Sequence, residues 1–418
     1  MDIARLPHNV LVKVCSYLTF NELINVAQIC KKLKSAAYDN SLWKHDKVNL
    51  HLPLNLEGWS ALYENLEEKG KRTLIFTVEH YSALDGHLNL IARHWPGVVY
   101  LQDATEGAEG VPGRSGILQN SKLRNAKYLK LKSFGLAFSH ILVDMMPFLE
   151  ILDLSESQFD DNCARDVVHL LRLRDLNVAN TRLTELGMVS LLGGSHLLFF
   201  DHNAPMLNQV QILDISNCVI RTSIPWTFLS RLSRLNTLII TDNFYISNQA
   251  YQFLATNNTL RCLVLKPCLG PKKIVQQLSS HGNKLQCLHL IDPFSDRDMI
   301  CFSNGYNALI CLKIESIYLT DEGVEQISTF LPQLKALDLS KCHNLTGLSI
   351  THIRKRLTNL KFLRVLNTPE ITELDVESMS TTCCVQSNCG YTTGVIDLTE
   401  VSNDPEVAVW FHRILHLE

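Results

Sequence analysis

No stretch of about 18 consecutive apolar residues occurs in the 418-residue chain, which argues against a transmembrane helix. Its N-terminus, MDIARLPHNVLVKV, lacks the continuous apolar core of a secretory signal peptide, because polar residues interrupt it every few positions. A chain without either segment is expected in the cytoplasm or nucleus. Asn257-Asn258-Thr259 and Asn344-Leu345-Thr346 are then chance glycosylation sequons. A basic excess is missing too: 39 Lys and Arg against 42 Asp and Glu give a net charge of −3. Proteins that bind nucleic acid through global charge carry a basic surplus, so no nucleic acid and no membrane is expected as a partner.

Among 13 cysteines there is no CxxC pair, which removes the usual zinc-ribbon and thioredoxin signatures. Cys30, Cys218, Cys262, Cys287, Cys311 and Cys342 sit inside apolar segments, where reduced thiols serve as small hydrophobes. Cys383-Cys384 with Cys389, and His412 or His416 beyond, match no common zinc spacing and read as a thiol-bearing loop. HExxH, GxSxG, Walker and Rossmann fingerprints are absent. No catalytic residue, metal or cofactor is therefore assigned. The expected function is binding.

Apolar residues make up 46% of the chain, enough to bury a core over most of its length. Residues 6–45 read as short amphipathic helices. Leu11, Val14, Cys15 and Leu18 recur at i, i+3, i+4, i+7, and Pro7 suits the first turn. Thr19-Phe20-Asn21-Glu22 has the form of a capping box, followed by Leu23, Val26, Ala27 and Cys30 at the same spacing. A third helix is predicted through Lys31–Tyr38. Leu6, Val10, Val12, Phe20, Ile24 and Ile29 stay off these faces. About 40 residues cannot bury much surface alone, so the second apolar face reads as a docking surface.

This segment resembles the F-box, on the strength of Leu6-Pro7, Tyr17-Leu18, Leu23, Ile29-Cys30-Lys31, Ala36-Ala37 and Leu42-Trp43. Leu33 departs from the pattern, since many members place an aromatic residue there. The resemblance covers roughly a tenth of the chain. It implies that a Skp-family adaptor binds through Leu6, Pro7, Val10, Leu11, Val14, Leu18, Leu23, Ile29, Cys30, Leu42 and Trp43. Cullin and RING subunits would follow through the adaptor. Two other readings stay open: a helical cap on the repeats described next, and an elongin-type adaptor box, whose Leu-x-x-x-Cys spacing Leu11 and Cys15 share.

A Leu-x-x-Leu-x-Leu triplet, allowing Ile or Val, begins at 149, 173, 210, 235, 260, 285, 309, 334 and 360, at intervals of 24–26 except for one of 37. An Ala126/Leu129/Leu131 version precedes them, with weaker candidates at Leu74/Phe76 and Val98/Leu101. Each triplet reads as a short strand with inward-facing leucines and a helical return, and such units stack because none buries its own face. Thr184, Thr320 and Thr346 are placed to cap three of the helices. The segment around LKALDLSKCHNLTGLSI resembles the cysteine-containing class of leucine-rich repeats. Cys342 and Cys218 stand at the signature position, Asn180 and Asn243 near it, and Cys268 is shifted from it.

The expected fold is α/β: a small all-α F-box domain over 1–50, then a leucine-rich-repeat horseshoe with a parallel sheet on its concave face. Residues 51–122 read as a linking region with weak first repeats and a Gly-rich mobile loop near 103–120, and 123–380 as the repeats proper. Residues 381–418 read as a loop and a capping helix, in which Val395–Leu398 suits one more strand. Asp404-Pro405-Glu406 starts the helix, and Val407, Trp410, Phe411, Ile414 and Leu415 share one face. The long interval places an insert at 193–207, a packed loop or a binding element.

On the concave face, the side chains alternating with the leucines are expected to face solvent and a protein substrate. Lys130, Lys132, Asp153, Asp175, Asn177, Asp214, Lys266, His289, Lys313 and Arg364 are the candidates, with Tyr128, Glu315, Asp338 and Phe362 on the same register. Cys262, Val264, Cys287 and Ile291 add an apolar patch there. F-box proteins with such repeats are substrate receptors of SCF-type ubiquitin ligases, so the resemblance implies that role, leading to proteasomal degradation. A repeat scaffold outside ubiquitination is the alternative.

Overall fold

The computed structural model describes residues 6–44, 47–53, 55–78, 84–105, 123–132, 139–196, 199–200, 206–222, 229–243, 254, 257–266, 278, 284–291, 294–379, 383–388 and 390–391. The chain divides into two compact units, Met1–Leu183 with Phe200–Gln209, and Thr184–Phe199 with Val210–Glu418. Among the described residues no helix is long and apolar enough to cross a membrane.

The first unit opens with three helices, α1 (His8–Cys15), α2 (Phe20–Ile29) and α3 (Lys31–Ala37), and a 3-10 turn at Asn40–Leu42. The capping box forms: the Glu22 amide donates to Thr19 Oγ1 at 3.4 Å, and Glu22 Oε2 accepts from the Thr19 amide at 2.8 Å. Leu11, Cys15, Leu23, Ile24, Leu33, Ala36, Ala37 and Trp43 are buried and make the small core. The Trp43 indole N–H donates to the Ala37 carbonyl at 2.9 Å, so its polar edge is satisfied inside that core.

Six parallel strands follow in sequence order: β1 (Lys47–Leu52), β2 (Thr73–Val78), β3 (Tyr100–Asp103), β4 (Tyr128–Lys130), β5 (Ile151–Asp153) and β6 (Asp175–Asn177). The sheet therefore starts before residue 50, and residues 51–105 hold full strand–helix units, with helices at Trp59–Glu68 and Leu84–His94. An open edge strand invites pairing with another chain. Here α2 meets β1, where the Asn21 amide donates to the His51 carbonyl at 2.8 Å and accepts the His51 N–H at 3.3 Å.

In the second unit β9 (Ile212–Asp214), β10 (Thr237–Ile240), β11 (Cys262–Leu265), β12 (Cys287–Ile291), β13 (Cys311–Glu315), β14 (Ala336–Asp338), β15 (Phe362–Val365) and β16 (Cys384–Ser387) run parallel, and β17 (Gly390–Tyr391) returns antiparallel on β16. Each of the nine regular triplets starts its strand at the triplet's third residue, from Ile151 to Phe362. The repeats pass the expected end at 380, because β16 pairs with β15. In the insert, β7 (Gly194–His196) and β8 (Phe199–Phe200) form a separate two-stranded ribbon. The Gly-rich segment beyond residue 105, the strand expected at 395–398 and the C-terminal helix lie outside the described residues.

Successive repeats are joined by side chains as well as by strands. Thr184, Thr320 and Thr346 cap their helices as anticipated. Beyond that, Asp321 Oδ1 accepts from the Thr346 amide at 2.9 Å and the Ser349 amide at 3.1 Å, and Oδ2 accepts from the Thr346 hydroxyl at 2.7 Å; the Ser349 hydroxyl donates to Oδ1 as well. Asp296 holds Thr320 one repeat earlier through its amide at 2.8 Å and hydroxyl at 2.7 Å. The signature positions do the same in the turn between the strand and the helix. Asn243 Nδ2 donates to the Ile215 carbonyl at 2.8 Å and Cys342 Sγ to the Ile314 carbonyl at 3.2 Å. These bonds satisfy backbone groups that a turn would otherwise leave unpaired.

Candidate interaction sites

Two surfaces stand out, one in each unit. On the first helical module, Val10, Val14 and Tyr17 are 39%, 48% and 77% exposed. Their i, i+4, i+7 spacing runs along one side of α1 into its closing turn. Pro7 is exposed at the start of that helix, and Ile29, 69% exposed, ends α2. Leu6, Leu18, Cys30 and Leu42 are half-buried. Leu11, Leu23 and Trp43 point inward and hold the helices together instead of offering a surface. Cys15 is buried with Leu11, so the Leu-x-x-x-Cys pair is part of the core. Tyr17, which the adaptor-binding assignment omitted, is the most exposed of the set, and Lys13 Nζ lies 5.1 Å from its ring centre.

In the first unit, the sheet face whose side chains alternate with the core leucines is partly open. Lys130, Lys132, Asp153 and Asn177 are half-buried there, and Lys130 Nζ meets Asp153 Oδ2 at 2.8 Å. Tyr100 and Tyr128 stack with ring centres 3.8 Å apart. Asp175 is buried instead of solvent-facing. A cavity of about 660 Å3 lies where the start of α2 meets β1 and β2, lined by Thr19, Asn21, Asn49, His51, Ile75 and Thr77 among others.

The corresponding face of the second unit departs from expectation. Asp214 and Lys266 at its margins are half-exposed, but His289, Lys313 and Arg364 are only 5%, 5% and 4% exposed. The strand register explains their company. One ladder runs Cys262, Cys287, Cys311, Ala336 and Phe362 across successive strands, and the next runs Val264, His289, Lys313, Asp338 and Arg364. Ile239, Val264 and the first ladder form a buried apolar cluster separate from the leucine core.

The charges beside it form a chain. Lys313 Nζ lies 2.8 Å from Glu315 Oε1 and 3.7 Å from Asp338 Oδ2; Arg364 Nη1 lies 3.6 Å from Asp338, and Lys341 Nζ 3.4 Å from Glu315 Oε2. His289 Nε2 meets Glu315 Oε1 at 3.2 Å while its Nδ1, equally buried, has no hydrogen-bond partner. Burial pushes the imidazole pKa below its ordinary value, so the ring is neutral and donates through Nε2. Burial alone would raise the Glu315 carboxyl, yet the hydrogen bonds from His289 and Lys313 outweigh it and hold the group well below the usual carboxylate range. Periodicity revealed which side chains share this face. It carried no sign that the face is shielded, because alternation describes direction and not what lies above.

Cys383 is buried and Cys384 half-buried, while Cys389, His412 and His416 lie outside the described residues. The comparisons with known proteins bear chiefly on the helical module: residues 3–46 match the F-box-like family. Among solved structures, a chain of the yeast Rad7 and Elc1 complex is 15% identical, with 88% of this chain and 89% of that chain covered and a TM-score of 0.45. An internalin, InlF of Listeria monocytogenes str. 4b F2365, is 13% identical, with 74% of this chain and 79% of that chain covered and a TM-score of 0.37. No curated protein matches in sequence.

Proposed function

Proceeding from the F-box-like domain at residues 3–46, we propose that this chain is the substrate-recognition subunit of an SCF-type ubiquitin ligase. The observation that carries the reading is the row Val10, Val14 and Tyr17, together with Ile29 at the end of α2, exposed on a module whose core is already filled by Leu11, Leu23 and Trp43. Apolar groups left in water at 39–77% exposure on so small a unit are what a permanent helical partner would cover. A Skp-family adaptor is that partner, with cullin and RING subunits beyond it. The repeats then hold a protein substrate, and the half-exposed Lys130, Lys132, Asp153 and Asn177 of the first unit offer the polar positions for it.

The chain acts by proximity. It brings a lysine of its client within reach of a ubiquitin-conjugating enzyme, raising the effective concentration of the two reactants, and forms no covalent bond itself. Degradation of the client by the proteasome follows. Purification of the tagged full chain from cells, with Val14→Asp/Ile29→Asp alongside, tests the assembly. Recovery of Skp-type adaptor and cullin with the wild type, both lost from the variant, is the expected result. Adaptor without cullin would point to a scaffold outside ubiquitination, and an elongin-type adaptor would replace the proposed box with another.

A further inference from the structure

A row of exposed apolar side chains runs along one rim of the second unit, where strands turn into helices. In the repeat whose triplet begins at 309, Ile317 and Tyr318 are 46% and 55% exposed, just before Thr320, the cap of the helix Asp321–Phe330. In the next repeat Leu348 is 61% exposed, two residues after Thr346, the cap of the helix Gly347–Arg356. In the one after, Leu374 is 78% exposed at the same place after Thr372, the cap of the helix Glu373–Glu377. These repeats adjoin one another at the rim. Asn344 Nδ2 donates to the Ile317 carbonyl at 2.6 Å, and Thr320 and Asn344 form a parallel bridge. The Asp375 carboxylate fills the space that a side chain at Gly347 would need, so the last two helix starts touch.

Singly exposed leucines are ordinary, but here large apolar residues recur through three consecutive repeats. The helices do not need them, since the second helical position faces water and is taken by Glu322 in the first of the three. Charge around the row has one sign. Segments 316–322, 342–348 and 368–374 hold Asp321, Glu322, Glu370 and Glu373 and no Lys or Arg. Asp321 is spent on Thr346 and Ser349, whereas Glu322, Glu370 and Glu373 are exposed. Glu322 and Glu373 also favour the starts of their own helices. Glu370 precedes the cap Thr372 and lies outside any helix.

We propose that this rim docks a basic segment of a client, whose apolar side chains cover Tyr318, Leu348 and Leu374 while its Lys or Arg residues meet Glu322, Glu370 and Glu373. Complementary charge selects this occupant. A second copy presenting the same rim in a two-fold dimer would bring acidic side chains against acidic side chains. Packed helices stand about 8–10 Å apart, so the row spans about 16–20 Å over two repeat steps. A helix of about 13 residues or an extended stretch of about six covers that length. That the segment belongs to a client rests on the receptor reading above, whereas its binding to this rim needs no adaptor.

A phage-displayed library of random peptides about 14 residues long, panned on the purified full chain, supplies the probe. Enriched peptides should combine Lys or Arg with large apolar residues. Fluorescence polarisation of the tightest should show binding weakened about 30-fold by Leu348→Ser/Leu374→Ser and about fivefold by Glu370→Lys/Glu373→Lys. Added salt should weaken the wild-type complex. Leu171→Ser, at a residue 66% exposed in the first unit, should leave the affinity unaltered. Peptides without a basic excess, no enrichment at all, or binding indifferent to both double variants would overturn the proposal. So would self-association of the chain that the serine variant abolishes, since a second copy would then be the occupant. If the serine variant alters the circular dichroism, the lysine variant decides by itself: weaker binding supports the proposal and unchanged binding sinks it. Intact peptide binding with no adaptor recovered from cells would refute the receptor reading and still support this surface.

Discussion

Glu315→Gln isolates the electrostatics of the shielded face. The carboxylate lies 2.8 Å from Lys313 Nζ, whose side chain is 5% exposed, and its own side chain is 14% exposed. At an effective dielectric of about 20, that separation corresponds to about 6 kcal/mol of attraction, most of it offset by desolvation of both ions. Removing one member of such a pair costs about 3–5 kcal/mol, because the other charge is left buried. Among the described residues, Lys313 would then keep Asp338, at 3.7 Å, as its acidic partner. Gln preserves the shape and one neutral hydrogen bond of about 1 kcal/mol, so the expected loss is about 2–4 kcal/mol.

In a stacked array such a loss is local, so it should appear as roughly 30- to 700-fold faster amide exchange in β12–β14 at neutral pH. Glu325→Gln, which removes a surface contact to Arg356 at 2.7 Å, should leave those amides unchanged. The pH dependence follows from the depressed pKa of Glu315. The folded state holds the proton more weakly than the unfolded chain does. The stabilisation is therefore complete above about pH 4.3, the unfolded value, and is lost as pH falls through the lower folded value. Wild type and variant should accordingly differ by a constant amount above about pH 5 and converge below pH 4.3. Equal exchange rates in both proteins at pH 7 would refute the reasoning.

Asp321→Ala removes the acceptor of the bonds from Thr346 and Ser349 and should cost about 2–4 kcal/mol, read as a lower urea midpoint for the second unit. His87, fully buried, accepts from the Tyr63 hydroxyl at 2.8 Å and donates to the Pro53 carbonyl at 3.1 Å, and burial lowers its pKa. Its ring should titrate by NMR below the ordinary imidazole midpoint, and the first unit should lose stability as pH falls below about 6.5, where the unfolded histidine takes up a proton. Glu156, exposed with φ of 61°, sits in the left-handed turn that follows its strand, where an L side chain costs about 1–2 kcal/mol. Glu156→Gly should therefore raise the thermal midpoint of the first unit slightly; a lower midpoint would mean that this turn is unstrained.

Much of this architecture was legible because its rules are local. The triplets place every strand from β5 to β15 that follows the regular period, since a leucine two residues from another on a strand must share its face. Thr19, Thr184, Thr320 and Thr346 announce helix starts through hydrogen bonds that reach only two or three residues. Asp296 and Asp321 could not be assigned in this way, because their partners stand 24–28 residues on and are fixed by stacking. Strand β1 was missed for a related reason: KVNLHL carries no full triplet and is defined by pairing with β2. In the helical module, spacing found the apolar residues but not their division. Leu11 turns inward and Val10 outward because α3 packs on one side of α1, a tertiary fact.

Isothermal titration of the purified full chain with a purified Skp-type adaptor tests the exposed row on α1 most directly. The account predicts a one-to-one complex, weakened at least 100-fold by Val14→Asp/Ile29→Asp. The urea midpoint should stay unaltered, since the two residues are already 48% and 69% exposed. Leu186→Asp, an exposed change in the second unit, should leave the affinity as it was. Equal affinities for wild type and the double variant would contradict the account.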